Sequence, residues 1–143
     1  MPDVFHGRGR RIDGLLHLYP REALECVHAG ATILDVRDGI ESSGRSFAVD
    51  RVLGISRRVI ADRLSSLPRD AALIVADCVG VHSKEIVRLL ASRGFRAVAN
   101  LVGGMVDWES AGMPTRVDGE EELLGGCACR LRPRKDYRVP DDD

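Results

Sequence analysis

The strongest constraint on the fold is a short apolar run that ends in a compact loop and leads directly into an amphipathic segment. Residues 71–76 read Ala-Ala-Leu-Ile-Val-Ala, which is typical of a strand buried on both faces of a parallel sheet. The turn from Asp77 to His82 follows, and Ser83 is placed to cap a helix with apolar residues at helical spacing. This strand-loop-helix unit is a basic element of α/β domains.

The same alternation recurs on both sides of this unit. Apolar runs at 31–36 and 97–101 are typical of buried strands, and a shorter run lies at 52–56. Helical patterns begin at Pro20 and surround Trp108. Strands that alternate with helices predict a parallel sheet with helices on both of its faces.

Length and composition predict one globular domain. The chain has 143 residues, enough for one packed core. Its hydrophobic content is 44% with only 4% aromatic residues, so the core rests on aliphatic side chains. We divide the chain into an N-terminal extension at 1–15, the α/β domain at 16–118 and a C-terminal tail at 119–143. The tail carries Cys127-Ala128-Cys129 and a basic run.

Charge and hydropathy exclude several classes of partner. The chain has 21 basic and 22 acidic residues, so no net field draws it to nucleic acid or to an anionic membrane. No apolar stretch approaches the roughly 18 residues that span a bilayer. Residues 1–11 lack the hydrophobic core of a secretion signal. We therefore expect a cytoplasmic protein with no nucleic-acid or membrane partner.

Chemistry is expected in the loop that follows the strand at 71–76. A tight loop that enters a helix directs several backbone N–H groups and the positive end of the helix dipole toward one point, where an anion can bind. A cysteine at the head of such a loop is readily ionised, and its thiolate can attack a sulfur atom and be held as a charged intermediate. Asp77 and Cys78 stand at that place.

From Leu18 to Pro114 the chain resembles a rhodanese (sulfurtransferase) domain. The resemblance implies a rhodanese-like, three-layer α/β/α fold with a five-stranded parallel sheet. It also implies a persulfide mechanism without a cofactor, in which the loop cysteine takes sulfane sulfur from thiosulfate or a persulfide-carrying protein and passes it to a thiol or cyanide. The matching segments are, in order, Ile33-Leu34-Asp35-Val36-Arg37, the turn at 67–70, the strand, loop and helix at 72–93, Gly94-Phe95, residues 100–108, and Gly112-Met113-Pro114.

The loop departs from the family pattern C-x-x-G-x-R-S. Counting back without a gap from Gly80, His82 and Ser83 places Asp77 at the cysteine position. A second register keeps Cys78 as the nucleophile and shortens the loop by one residue. We prefer the ungapped register, because a deletion would remove one of the N–H groups that form the anion site. The two alternatives are Cys78 as sulfur carrier and Asp77 as a permanent anion in a catalytically silent domain.

The remaining loop residues are expected to bind the substrate or an anion. His82 stands where many relatives have Arg, so a fixed positive charge becomes a titratable one. Ser83 is expected to cap the following helix, and the resemblance adds that its hydroxyl helps to hold the loop sulfur. The full set of expected binding residues is Val79, Gly80, Val81, His82 and Ser83.

Asp35 and Arg37 are expected to support the site. They follow the strand at 31–36, and in the family this position lies near the loop. We expect Arg37 to form a structural ion pair with Glu41 or Asp38 rather than to bind substrate.

The other cysteines receive separate interpretations. Cys26 is predicted to be a buried core thiol. Cys127 and Cys129 lie beside basic residues that favour thiolates, and they could be bystanders, a sulfur relay for the loop or half of a metal site. The metal interpretation is the weakest, because a structural zinc needs four ligands, and we expect no metal.

Two main functions remain open. The first is a rhodanese-like sulfurtransferase in which Cys78 or a tail thiol carries the persulfide. The second is a non-catalytic rhodanese-like module that binds an anion or a protein partner. A phosphatase or arsenate reductase is disfavoured, because oxyanions of that size need a longer loop that ends in Arg.

Overall fold

The computed structural model describes residues 3–38 and 44–117 together with two short strands at 125–126 and 129–130. The helices are α1 (Pro20–His28), α2 (Ile60–Arg63), α3 (Ser83–Ser92) and α4 (Gly104–Ser110), with a 3₁₀ turn at Leu64–Ser66. The strands are β1 (Arg10–Ile12), β2 (Leu15–Leu18), β3 (Thr32–Asp35), β4 (Arg45–Phe47), β5 (Val52–Gly54), β6 (Ala72–Ala76), β7 (Ala97–Leu101), β8 (Thr115–Val117), β9 (Gly125–Gly126) and β10 (Cys129–Arg130).

The central sheet has the strand order β1-β2-β7-β6-β3-β5. Strands β2, β7, β6, β3 and β5 run parallel to one another, and β1 runs antiparallel to β2 at the edge. The predicted parallel sheet is confirmed, with one antiparallel strand added. That added strand lies at 10–12, within the segment that the sequence analysis treated as an extension. Its residues are exposed and two of them are arginines, so no apolar pattern marked it.

Helices cover both faces of the sheet, which gives the predicted three layers. Successive strand residues point to opposite faces, so Ile33 packs into one hydrophobic core and Leu34 into the other. Likewise, Ile74 packs into the first core and its neighbour Leu73 into the second. Helices α1 and α4 contribute to the first core, and α2 and α3 contribute to the second.

The parallel register brings the carboxyl ends of four strands together. Asp35 of β3 pairs with Ala76 of β6, Val75 of β6 pairs with Asn100 of β7, and Asn100 also pairs with His17 of β2. The loop that follows β6 therefore lies at the sheet edge between the ends of β3 and β7. This is the edge at which ligands bind in open α/β sheets.

The chain forms two compact units, which comprise residues 1–42 with 47–114 and residues 43–46 with 115–143. The central sheet and the four helices belong to the first unit. In the second unit β9 pairs antiparallel with β10. A further two-stranded sheet joins β4 and β8. The predicted boundary at 118 and most of the tail lie outside the described residues. None of the helices within the described ranges is long and apolar enough to cross a membrane.

Trp108 anchors the end of the first unit in the core. Its side chain is completely buried, and its ring meets that of Phe47 edge to face at 5.3 Å between centroids. The indole Nε1 donates a hydrogen bond of 2.7 Å to the Pro114 carbonyl. The segment after α4 is thereby tied to the sheet, since Trp108 joins apolar burial to a directed hydrogen bond.

We expect Trp108→Phe to lower the free energy of unfolding by about 1–3 kcal/mol, because it removes this hydrogen bond and leaves a cavity. Urea unfolding followed by circular dichroism would measure the change. Val106→Ala on the same helix is the matched control. Val106 is 47% exposed, so its truncation should cost under about 0.5 kcal/mol. Equal losses in the two variants would contradict the anchoring role.

Candidate active-site loop

Asp77 heads the loop after β6, and its buried carboxylate is the centre of the candidate site. Its Oδ1 accepts a hydrogen bond of 2.5 Å from the backbone N–H of Gly80. Its Oδ2 accepts hydrogen bonds from the backbone N–H groups of His82 at 2.6 Å and Ser83 at 3.3 Å. Only 1% of Asp77 is exposed. The N–H groups that the sequence analysis expected to hold an anion are thus directed at the chain's own carboxylate.

The start of α3 differs from the prediction for Ser83, whose expected capping role is wrong. The helix begins at Ser83, His82 occupies the cap position, and the Ser83 hydroxyl donates to Oδ1 of Asn100 in β7. The first N–H groups of the helix find their acceptor in Asp77 instead. An ionised acceptor at the positive end of a helix dipole is stronger than a hydroxyl, which accounts for the difference.

The beginning of α4 fixes the loop from the other side. The Asp77 carbonyl accepts a hydrogen bond of 2.9 Å from the Met105 N–H, and the Cys78 carbonyl accepts one of 3.1 Å from the Val106 N–H. Gly104 directly precedes Met105 and has φ +58°, and a Cβ at that position would overlap the Asp77 carbonyl oxygen. Only glycine allows so close an approach at a positive φ.

The two cysteines whose side chains the structure describes, Cys26 and Cys78, differ in accessibility. Cys78 is half-buried, whereas Cys26 is completely buried on α1, as predicted. Burial raises the pKa of the Cys26 thiol to about 11, which keeps it protonated and unreactive at neutral pH. Next to Cys78, the side chains of Val79 and Val81 are exposed.

Asp35 and Arg37 lie one strand away from the loop and bind each other. Arg37 donates from Nε and Nη2 to the two Asp35 carboxylate oxygens at 2.9 and 2.8 Å. Its guanidinium lies 5.4 Å from the centre of the Phe47 ring. Asp38, an expected partner of Arg37, pairs with Arg58 at 3.1 Å. The other expected partner, Glu41, lies outside the described residues. This arrangement favours the structural role expected for Arg37.

A buried polar chain that the sequence analysis missed connects the loop to β2. The Ser83 hydroxyl binds Asn100, and the Asn100 side-chain nitrogen lies 3.1 Å from Nδ1 of His17. His17 and Asn100 are 9% and 1% exposed. The available signal was a polar residue inside an otherwise apolar strand, as in Leu15-Leu16-His17-Leu18.

The tail cysteines are not brought to the loop by any described contact. Cys129 begins β10, and its side chain, like the whole of Cys127, lies outside the described residues. Within the described part of the chain no group of three or more His, Cys, Asp or Glu side chains is arranged to hold a metal ion.

Known proteins are similar to this chain in sequence and in fold. No family model matches the chain. A rhodanese-like domain of the Alr3790 protein from Anabaena is 31% identical, and the match covers 98% of that domain and 60% of this chain with a TM-score of 0.55. The chain belongs to the rhodanese-like family.

More distant rhodanese-like relatives have named activities or share the fold. The thiosulfate sulfurtransferase GlpE of Actinobacillus pleuropneumoniae is 28% identical over 99 residues, which cover 66% of this chain and 87% of that protein. A polysulfide-sulfur transferase of Wolinella succinogenes is 23% identical, with 71% of this chain and 78% of that one covered and a TM-score of 0.64. At that identity the second comparison supports the rhodanese-like fold alone.

We expect Asp77→Asn to weaken the loop, because the amide nitrogen cannot accept a hydrogen bond from a backbone N–H group. The free energy of unfolding should fall by about 1–3 kcal/mol, and the amide protons of Gly80 and His82 should exchange faster with solvent. Urea unfolding and hydrogen exchange measured by NMR would test this. Asp62→Asn, at an exposed position of α2, is the control and should change neither quantity. Unchanged exchange at Gly80 would refute the arrangement.

We also expect Gly104→Ala to destabilise the protein far more than Gly14→Ala. Both glycines have positive φ, +58° and +80°, but a Cβ at Gly14 meets nothing within 4 Å. The free energy of unfolding of the Gly14 variant should therefore fall by only about 1–2 kcal/mol, the cost of placing alanine in the left-handed conformation. The Gly104 variant should lose at least about 2 kcal/mol more through overlap with the loop backbone. Similar unfolding midpoints of the two variants in urea would show that close packing at Gly104 does not hold the loop in place.

Proposed function

We propose that this chain is a catalytically silent rhodanese-like module, in which Asp77 replaces the sulfur-carrying cysteine and the domain binds a ligand or partner instead of transferring sulfur. The observation that carries the proposal is the set of hydrogen bonds from Gly80, His82 and Ser83 to the Asp77 carboxylate. These donors lie three, five and six residues after Asp77. The same spacing separates the Cys from the Gly, Arg and Ser of the family pattern C-x-x-G-x-R-S.

A carboxylate cannot perform the step that the family loop performs. In that step a cysteine thiolate attacks the outer sulfur of thiosulfate, the sulfur-sulfur bond breaks, and sulfite leaves with the electron pair while the cysteine keeps the persulfide. Asp77 has no sulfur to form this bond. Its buried negative charge also repels a thiosulfate dianion from the loop N–H groups, which it already occupies.

Cys78 supports the alternative, a working sulfurtransferase, because it is half-buried and one residue from the head of the loop. The relatives named thiosulfate sulfurtransferase also favour that function. A persulfide on Cys78 would nevertheless need its own stabilising donors, and three loop N–H groups are bound to Asp77. If those N–H groups bound a persulfide instead, the buried Asp77 carboxylate would lose its hydrogen bonds, which is energetically costly. The silent module is therefore the better-supported function.

We expect the wild-type protein to gain no sulfur on Cys78 after brief exposure to thiosulfate, and Asp77→Cys to gain one sulfur atom at the new thiol. The substitution places a nucleophile at the point where the three N–H groups meet. Intact and peptide-mapped mass spectrometry without reductant would locate the added sulfur. Release of thiocyanate from thiosulfate and cyanide would measure turnover.

Asp77→Cys combined with Cys78→Ser is the control for sulfur exchange between neighbouring thiols, and it should behave like Asp77→Cys alone. Asp77→Ser, which supplies no thiol, should remain inactive. Added sulfur on Cys78 of the wild type would overturn the proposal and favour the shortened-loop sulfurtransferase. Added sulfur on Cys127 or Cys129 would also overturn it and place sulfur carriage in the tail.

A further inference from the structure

We infer that a cavity between β2 and α3 is a binding site for a small organic anion with an apolar group, such as a carboxylate or a phosphate ester. The cavity is open to solvent and has a volume of about 500 Å³, which lies in the range of sites for metabolite-sized ligands. All of its lining residues belong to the first compact unit. We call it the β2–α3 cavity.

The charged lining of the β2–α3 cavity is predominantly positive. Arg10 from β1 and Lys84 and Arg88 from α3 line it, against a single carboxylate from Asp13. Lys84 and Arg88 are one helical turn apart, so their side chains lie on the same face of α3. Clustered cations of this kind raise the local concentration of anions and can form charge-assisted hydrogen bonds with them.

The buried polar lining offers a hydrogen-bond donor besides the cations. Asn100 accepts from the Ser83 hydroxyl through Oδ1, so its side-chain nitrogen faces Nδ1 of His17. That nitrogen is a donor, and Nδ1 of the neutral imidazole must therefore accept. With Nδ1 as the acceptor, the ring proton of His17 lies on Nε2. His17 and Asn100 both line the β2–α3 cavity.

The remaining lining selects for an organic anion over a simple inorganic one. The apolar side chains of Ile12, Leu15, Val79 and Val102 line the same cavity, and Ile12 and Val79 are more than half exposed. Burial of such surface against an apolar group of the ligand is favourable. Inorganic phosphate would satisfy the cations but leave this surface in water.

The β2–α3 cavity is joined to the loop by continuous contacts. Val79 and Gly80 contribute to its lining, and Gly80 donates to Asp77. His17 is connected through Asn100 to Ser83, whose N–H also binds Asp77. A ligand that binds His17 should therefore alter the loop amides. The inference does not depend on sulfur transfer, because Asp77 and Cys78 do not line the cavity.

NMR titration of the ¹⁵N-labelled full chain would test the inference with phenyl phosphate and benzoate as the two organic anions and with inorganic phosphate and phenol as comparisons. We expect saturable shifts of the amides of His17, Gly80, Asn100 and Gly103 with at least one organic anion. Inorganic phosphate and phenol should bind at least about tenfold more weakly, because phosphate lacks the apolar group and phenol lacks the anionic headgroup. The better organic anion identifies the headgroup.

Lys84→Gln combined with Arg88→Gln should weaken binding of the same anion at least about tenfold. Both side chains are exposed, so the variant should fold, which circular dichroism would check. Arg93→Gln, at the end of α3 and outside the β2–α3 cavity, is the matched control and should bind as the wild type does. Equal weakening by the control would show a general charge effect and overturn the site. Absence of saturable shifts at the four amides with both organic anions would also overturn it.

Discussion

The carboxylate of Asp77 is the interaction on which the rest of the site depends. A buried charge is costly unless it is fully hydrogen-bonded, and Asp77 meets this requirement with three backbone N–H groups at the positive end of α3. The backbone beside it is also hydrogen-bonded, because the carbonyls of Asp77 and Cys78 accept hydrogen bonds from N–H groups in the first turn of α4. The side chain of Asp77 thereby joins the loop to α3, and the backbone carbonyls of Asp77 and Cys78 join it to α4.

The sheet explains why these groups meet. Parallel strands bring their carboxyl ends to one edge, so residues far apart in sequence become neighbours there. Asp35 and Arg37 form an ion pair beside the Phe47 ring at the end of β3, and Asn100 and His17 form a second pair at the ends of β7 and β2. The first pair is held by the aromatic core through Trp108. The second is held by a hydrogen-bonded chain that ends at Ser83.

Local patterns were enough to predict the parallel sheet and the buried Cys26. They failed where the deciding partner is distant in sequence. Ser83 looks like a cap by itself, but its hydroxyl binds a residue 17 positions away, and Asn100 meets His17 across 83 positions. The edge strand β1 was missed because exposed arginines carry no apolar periodicity. A single sequence also gives no register for strand pairing, which is what places His17 beside Asn100.

Occupation of the loop by Asp77 restricts how this module could recognise any anion. The family loop binds its sulfur through backbone N–H groups, and here three of those groups are satisfied within the chain. A second anion in the same place would meet the Asp77 carboxylate at short range and find its three N–H donors already bound. Recognition must therefore use side chains, which can be rearranged without breaking the loop. The cations on α3 and β1 and the imidazole of His17 provide these side chains in a neighbouring cavity. The basic cavity thus lies beside a loop whose backbone donors are bound to Asp77.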